Sequence, residues 1–255
     1  MNFSFSEYAL WSFTTLMETV ICALIFRFRS YRVIPFFSTY LCFAVVRSLA
    51  LWWIYHVPTL EAGFVYNFYW VTQLLLLVGR GLGVAEVCRL SLREYRGVWE
   101  LTWRLLVGVG IVLIAFAGVA ALYDPRWVSP VVLRGERGLE LAIIAVLAAL
   151  GLVCRYYQIS VPRPVKWLGL GLGLYAGVQV INDVIEYAAH GEFPLWRGIH
   201  QSAFAVALVI WFGALRKPLA LVAPSLAEPE TYEEIAPAVS YRLRELNARL
   251  LEMLK

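Results

Sequence analysis

Apolar stretches of about 20 residues, the length of helix that crosses a hydrocarbon layer, recur seven times in this chain, at 8–26, 33–55, 65–90, 105–122, 139–156, 165–187 and 195–215. They leave little sequence for anything else. Of the 255 residues, 61% are hydrophobic and 16% charged, whereas soluble domains run nearer half apolar and a quarter charged. The mean hydropathy of +0.69 agrees. A closed β-barrel, the other fold that satisfies its backbone in lipid, would show short alternating segments instead of runs such as GVGIVLIAFAGVAAL. The expected fold is therefore all-α, a seven-transmembrane-helix bundle spanning residues 1–217.

Basic residues set the orientation, because Lys and Arg concentrate in short cytoplasmic connections. The odd-numbered connections and the segment after the last helix hold twelve: Arg27, Arg29, Arg32, Arg89, Arg93, Arg96, Arg104, Arg155, Arg163, Lys166, Arg216 and Lys217. The even-numbered connections hold four, Arg126, Arg134, Arg137 and Arg197. This asymmetry predicts the N-terminus outside and the C-terminus cytoplasmic. The start MNFSFSEYALW lacks a basic region and small-residue cleavage site, so the first helix is expected to persist. Cys22, Cys42, Cys88 and Cys154 then fall in cytoplasmic halves, where an external disulfide is not expected, and no C-x-x-C pair suggests a cluster. Net charge of +4 comes from residues at helix ends, and no RNA- or DNA-binding motif accompanies it. Nucleic acid is not an expected partner; the lipid bilayer is.

The longest external connection, YDPRWVSPVVLRGERG between helices 4 and 5, reads as an interfacial loop. After Lys217 the composition changes. Residues 218–237 form a Pro/Glu-rich cytoplasmic linker, and 238–255 place Val239, Leu243, Leu246, Leu250 and Leu254 at helical spacing, an amphipathic cytoplasmic helix. Such a helix either lies on the membrane or folds back under its own bundle, or it engages a protein partner or a second copy, making a homo-oligomer. No internal repeat joins the first and last three helices, which weakens the duplicated transporter folds. Gly79 with Gly83, and Gly169 with Gly173, permit close helix approach.

Converted to depth, Glu18, Arg47 and Arg80 reach one mid-membrane layer. An unpaired charge there costs at least about 2.5 kcal/mol, so the expected arrangement pairs Glu18 with Arg47 or Arg80. The excess positive charge would be met by Glu86, by water or by an anionic ligand. Two readings follow: a structural ion-pair network, or an anion-binding or proton-relay centre.

A second polar layer lies nearer the outside. Tyr175, Gln179, Asn182 and Glu186 share one helical face with Asp183 beside it. Helix 3 offers Tyr66, Tyr69 and Gln73, and helix 7 offers His200, Gln201 and Ser202. Together these would line a pocket open to the outside. His56, His190 and His200 share that side, but their separations match no metal-ligand spacing. No metal or other cofactor is expected. Most tryptophans fall near helix ends, as interfacial anchors do.

Resemblance narrows the alternatives. The topology looks like that of rhodopsins, but Lys166, Lys217 and Lys255 lie outside the spans, which excludes a retinal Schiff base. No Pro-Gln pair marks a PQ-loop transporter, and no H-x-x-x-H pair marks a ceramidase-like hydrolase. YRVIPFFSTYLCF and VYNFYWVTQLLLLVGRGLGVAEVCRL are similar to bacterial seven-helix integral membrane proteins of uncharacterised activity. That resemblance implies a bacterial cytoplasmic (inner) membrane location. The topology is also similar to seven-helix sensor modules. The leading expectation is a non-enzymatic, receptor-like sensor or accessory subunit, its external pocket coupled to a partner-binding tail. An anion or small-solute transporter using Arg47 and Arg80 is the alternative. A metal-dependent membrane enzyme built on His200, Asp183 and Glu186 is third.

Overall fold

The computed structural model describes residues 5–57, 61–93, 95–122, 128–157, 159–189 and 194–219, with Tyr241, Glu245, Arg249 and Glu252 of the tail. Among the described residues before the tail, seven α-helices follow one another: α1 (Phe5–Arg27), α2 (Pro35–His56), α3 (Ala62–Ser91), α4 (Arg96–Leu122), α5 (Val128–Tyr156), α6 (Arg163–Ala189) and α7 (Pro194–Leu215). No strand occurs among the described residues. Among the described residues, five segments are long and apolar enough to cross a membrane: Tyr8–Arg27, Pro35–His56, Ala62–Ser91, Gly135–Tyr156 and Arg163–Ile185. Large apolar side chains such as Leu16, Val46, Trp53, Val112 and Leu152 point outward. An outer surface of that kind suits lipid, not water.

α3 is the hub, touching α2, α4, α5 and α6, while α1 packs between α2 and α7 and α7 closes back onto α6. α4 lies at the edge against α5 and α3. Small residues make the close approaches. A Cβ on Gly79 would meet the Tyr40 side chain at 3.3 Å and one on Gly83 would meet Phe37 at 3.5 Å, so this pair seats α3 on α2. Gly169 faces Val87 at 3.3 Å and Gly173 faces Leu147 at 3.4 Å, seating α6 between α3 and α5. Gly171 faces the fully buried Trp211, whose indole N–H donates to the Leu168 carbonyl at 3.2 Å.

The expected 4–5 loop is largely helix. α5 begins at Val128 and α4 already at Arg96, leaving only 123–127, outside the described residues. Pro130 sits in the first turn of α5, where its missing N–H breaks no helical bond. In this segment Glu136 and Arg137 find partners on α3 and α6. Of the expected tail helix only Tyr241, Glu245, Arg249 and Glu252 are described; all four are helical, and Arg249 pairs with Glu245 at 2.5 Å. The rest of 238–255, and most of the linker, lies outside the described residues.

Candidate functional site

Arg80 of α3 does not pair with Glu18. Its guanidinium meets the carboxylate of Glu140 on α5, with the two side chains 4% and 2% exposed. The arginine also lies 4.6 Å from the ring centre of Tyr175 on α6, a cation–π contact, and close to the buried Tyr40 of α2. Four helices thus converge on one charge.

One turn before Glu140 on α5, Glu136 accepts a 3.0 Å hydrogen bond from the Gln73 amide of α3. It lies within Coulombic reach of Arg80, Arg47 and Asp183. Glu136 therefore joins the two layers that the sequence separates. Arg47 donates from Nε to Thr72 Oγ1 at 3.0 Å and covers the Tyr69 ring at 5.0 Å. Arg137, beside Glu136, donates to Asp183 of α6 at 3.1 Å, and this pair is 54% and 35% exposed. Gln179 donates to the Tyr175 hydroxyl at 3.2 Å, with Asn182 buried one turn further along α6.

The residues describe a seam between α2, α3, α5 and α6. It starts at the exposed Arg137–Asp183 pair, passes Arg47, Gln73 and Glu136, and ends at the buried Arg80–Glu140 pair. From Thr72 to Arg80 it descends about 12 Å at 1.5 Å per residue. Beneath it lies an aromatic layer. Phe37 and Trp211 pack edge-to-face at 5.0 Å, Tyr40 meets Trp211 at 6.4 Å, and Tyr175 meets Phe204 at 5.4 Å. Among the described residues, the core beyond it is built largely from apolar side chains including Ile25, Ile34, Leu168 and Leu215.

Several sequence expectations change. Glu18 is buried on α1 and accepts from Ser48 Oγ at 3.5 Å, with Arg47 within Coulombic reach but forming no ion pair with it. Glu86 does not balance the arginines. Its carboxylate accepts the backbone N–H groups of Phe36 and Phe37 at 3.3 and 2.9 Å, capping α2, whose N-cap residue Ile34 offers no side-chain cap. A helix that opens on Pro35 needs an acceptor from elsewhere for its first free N–H groups. Tyr69, Gln73, Gln179, Asn182 and Asp183 lie along the seam through the contacts given above.

Gln201 is half-buried on α7 and makes no hydrogen bond to this cluster among the described residues. The side chains of Glu186 and His200, and the whole of His190, lie outside the described residues. His56 is exposed, its ring on Trp52 at 4.7 Å. No group of three His, Cys, Asp or Glu able to hold a metal occurs among the described residues.

Glu136 and Glu140 are the site residues that sequence reasoning misses. They stand four apart immediately before LAIIAVLAAL, a spacing that places both on one helical face once the helix is extended. Counting them changes the charge balance. Within the seam Glu136 and Glu140 now stand against Arg47 and Arg80, so the arginine surplus is cancelled, while Arg137 and Asp183 offset each other. Among the described residues, four buried polar atoms of the seam have no hydrogen-bond partner: the donors Arg47 Nη2 and Arg80 Nε, and the acceptors Glu140 Oε2 and Asn182 Oδ1.

No protein family matches this chain. Neither a curated protein nor a solved structure matches it.

Proposed function

We propose that the chain is a seven-span sensor or accessory subunit of a bacterial cytoplasmic membrane, with its N-terminus outside, that takes a small polar ligand into the α2–α3–α5–α6 seam. The observation that carries this reading is the blind end of the seam. Polar side chains grade from half-exposed to buried and stop on the Phe37–Tyr40–Tyr175–Phe204–Trp211 layer, as a binding pocket does and a conduit does not. The ligand carries both hydrogen-bond donors and acceptors, to meet the four unpartnered atoms, and is neutral or zwitterionic, since carboxylates and arginines balance in the seam. The surplus of arginine that favoured an anion transporter is absent from this balance. Occupancy alters the α3–α5 contact at Arg80–Glu140, and residues 238–255 carry the change to a partner or a second copy.

The experiment is thermal unfolding of the purified protein with free amino acids, short diamines and polyols at millimolar concentration. At least one of these solutes is expected to stabilise the wild type and to do so at least tenfold more weakly in Glu136→Gln. Liposomes containing the protein should not accumulate that solute. Glu136-dependent accumulation would instead make the chain a transporter. Deleting residues 225–255 should leave ligand binding intact while abolishing partner recovery or self-association, and unchanged recovery would remove the tail from the mechanism.

A further inference from the structure

A groove of about 740 Å³ runs between α5 and α6 on the outside of the bundle, away from the polar seam. Val87 and Ser91 of α3 form its floor. Its size falls within the roughly 300–1,000 Å³ of ordinary ligand sites. Gly151 on one wall leaves open space beside it, whereas Gly169 and Gly173 on the other pack closely on Val87 and Leu147 and add no side chain to the groove. Most of the lining is apolar, and among the described residues it contains no carboxylate.

Two cations stand at one end. Arg155 in the last turn of α5 and Lys166 in the first turn of α6 both line the mouth and both are exposed. Among the described residues neither has a carboxylate partner. The exposed Trp167 and Tyr156 adjoin them, and aromatic side chains of this kind settle at headgroup depth. From Arg155 to Ile144 the groove extends about 16 Å along α5 at 1.5 Å per residue. Half of a hydrocarbon core of about 30 Å is 15 Å, the depth of a single leaflet.

We propose that this groove is a binding site for an anionic phospholipid, with the phosphate between Arg155 and Lys166 and one acyl chain lying along Gly151, Gly169 and Gly173. The charge arrangement selects the occupant. A partner helix would leave two unpaired cations at its end, whereas a lipid with a net negative headgroup meets the cations and the apolar trough with one molecule. Surface cations favour an anionic lipid by roughly fivefold each, so the pair favours it over a zwitterionic lipid by about thirtyfold.

The test is native mass spectrometry of the full-length protein, purified in detergent and offered equal phosphatidylglycerol and phosphatidylcholine of the same acyl chains. One phosphatidylglycerol per protein should be retained with at least about tenfold preference. Arg155→Gln/Lys166→Gln should abolish the preference, whereas Arg216→Gln/Lys217→Gln, which removes the same charge away from the groove, should leave it intact. Gly151→Phe should lower retention of both lipids, since a side chain there meets nothing within 4 Å and projects into open space. Thermal unfolding of each variant establishes that it folds; if Gly151→Phe does not, Gly151→Leu takes its place. Equal retention of the two lipids in the wild type overturns the proposal, as does a preference that survives the Arg155/Lys166 substitution. Full retention in the filled groove, or a dimer in place of bound lipid, overturns it too.

Discussion

Replacing Glu140 by leucine removes the counter-charge of a guanidinium that is only 4% exposed. Arginine cannot escape by losing its proton. Removing one partner of a buried pair costs about 3–5 kcal/mol, and the Tyr175 contact offsets none of this because it exists before and after the change. Arg80→Met should cost a similar amount. The double variant Arg80→Met/Glu140→Leu restores neutrality, and its remaining penalty is the lost cation–π contact, about 2 kcal/mol for a desolvated ring. The pair should therefore be coupled by about 4 kcal/mol or more in a double-mutant cycle. Interhelical hydrogen bonds in a membrane average about 0.6 kcal/mol and reach about 1.7. Equilibrium unfolding in mixed micelles with rising SDS, followed by tryptophan fluorescence, measures all four corners. A coupling below about 1.7 kcal/mol would refute a dry, mutually dependent ion pair joining α3 to α5.

Other substitutions check neighbouring parts of the reasoning. Asp183→Asn breaks a pair that is 54% and 35% exposed, so it should cost less than about 1 kcal/mol, with the loss shrinking further in high salt. Gly171→Ala drives a methyl into the Trp211 indole and should cost about 1–3 kcal/mol. Gly177→Ala on the same helix meets nothing within 4 Å and should be neutral or stabilising by up to about 1 kcal/mol; equal melting temperatures for these two variants would contradict the packing described. Glu86→Ala uncaps α2 and should cost about 1–2 kcal/mol, whereas an effect on ligand binding without loss of stability would return Glu86 to the polar seam.

Hydrocarbon is a demanding solvent, and for that reason much of this protein is legible from composition and run length. Backbone groups in lipid must bond within their own segment, so long apolar runs mean helices wherever they occur. Close approach at Gly79, Gly83, Gly169 and Gly173 was equally readable, because small residues at four-residue spacing leave a flat face on any helix. The polar stripe of α6 belonged to the same class, since helical periodicity puts Tyr175, Gln179 and Asn182 together without reference to any neighbour.

Partner choice was not readable in that way. A charge in the middle of a helix announces that it needs a counter-charge but not which helix supplies it. Depth alone made Glu18 the nearest candidate for Arg80, and tertiary packing chose Glu140 instead by setting α5 against α3. The start of α5 misled for a related reason: RGERG reads as loop where each charge is assumed to face water, but Glu136 and Arg137 are helical because Gln73 and Asp183 meet them. Glu86 shows the opposite case, a buried acid serving the free backbone N–H groups of α2. The sequence by itself determined that this chain is helical, apolar on its outside and polar somewhere within, because those properties depend on each segment and its solvent. Only the tertiary structure decided that the polar groups form one seam ending on aromatic rings, because pairing depends on which helices lie side by side.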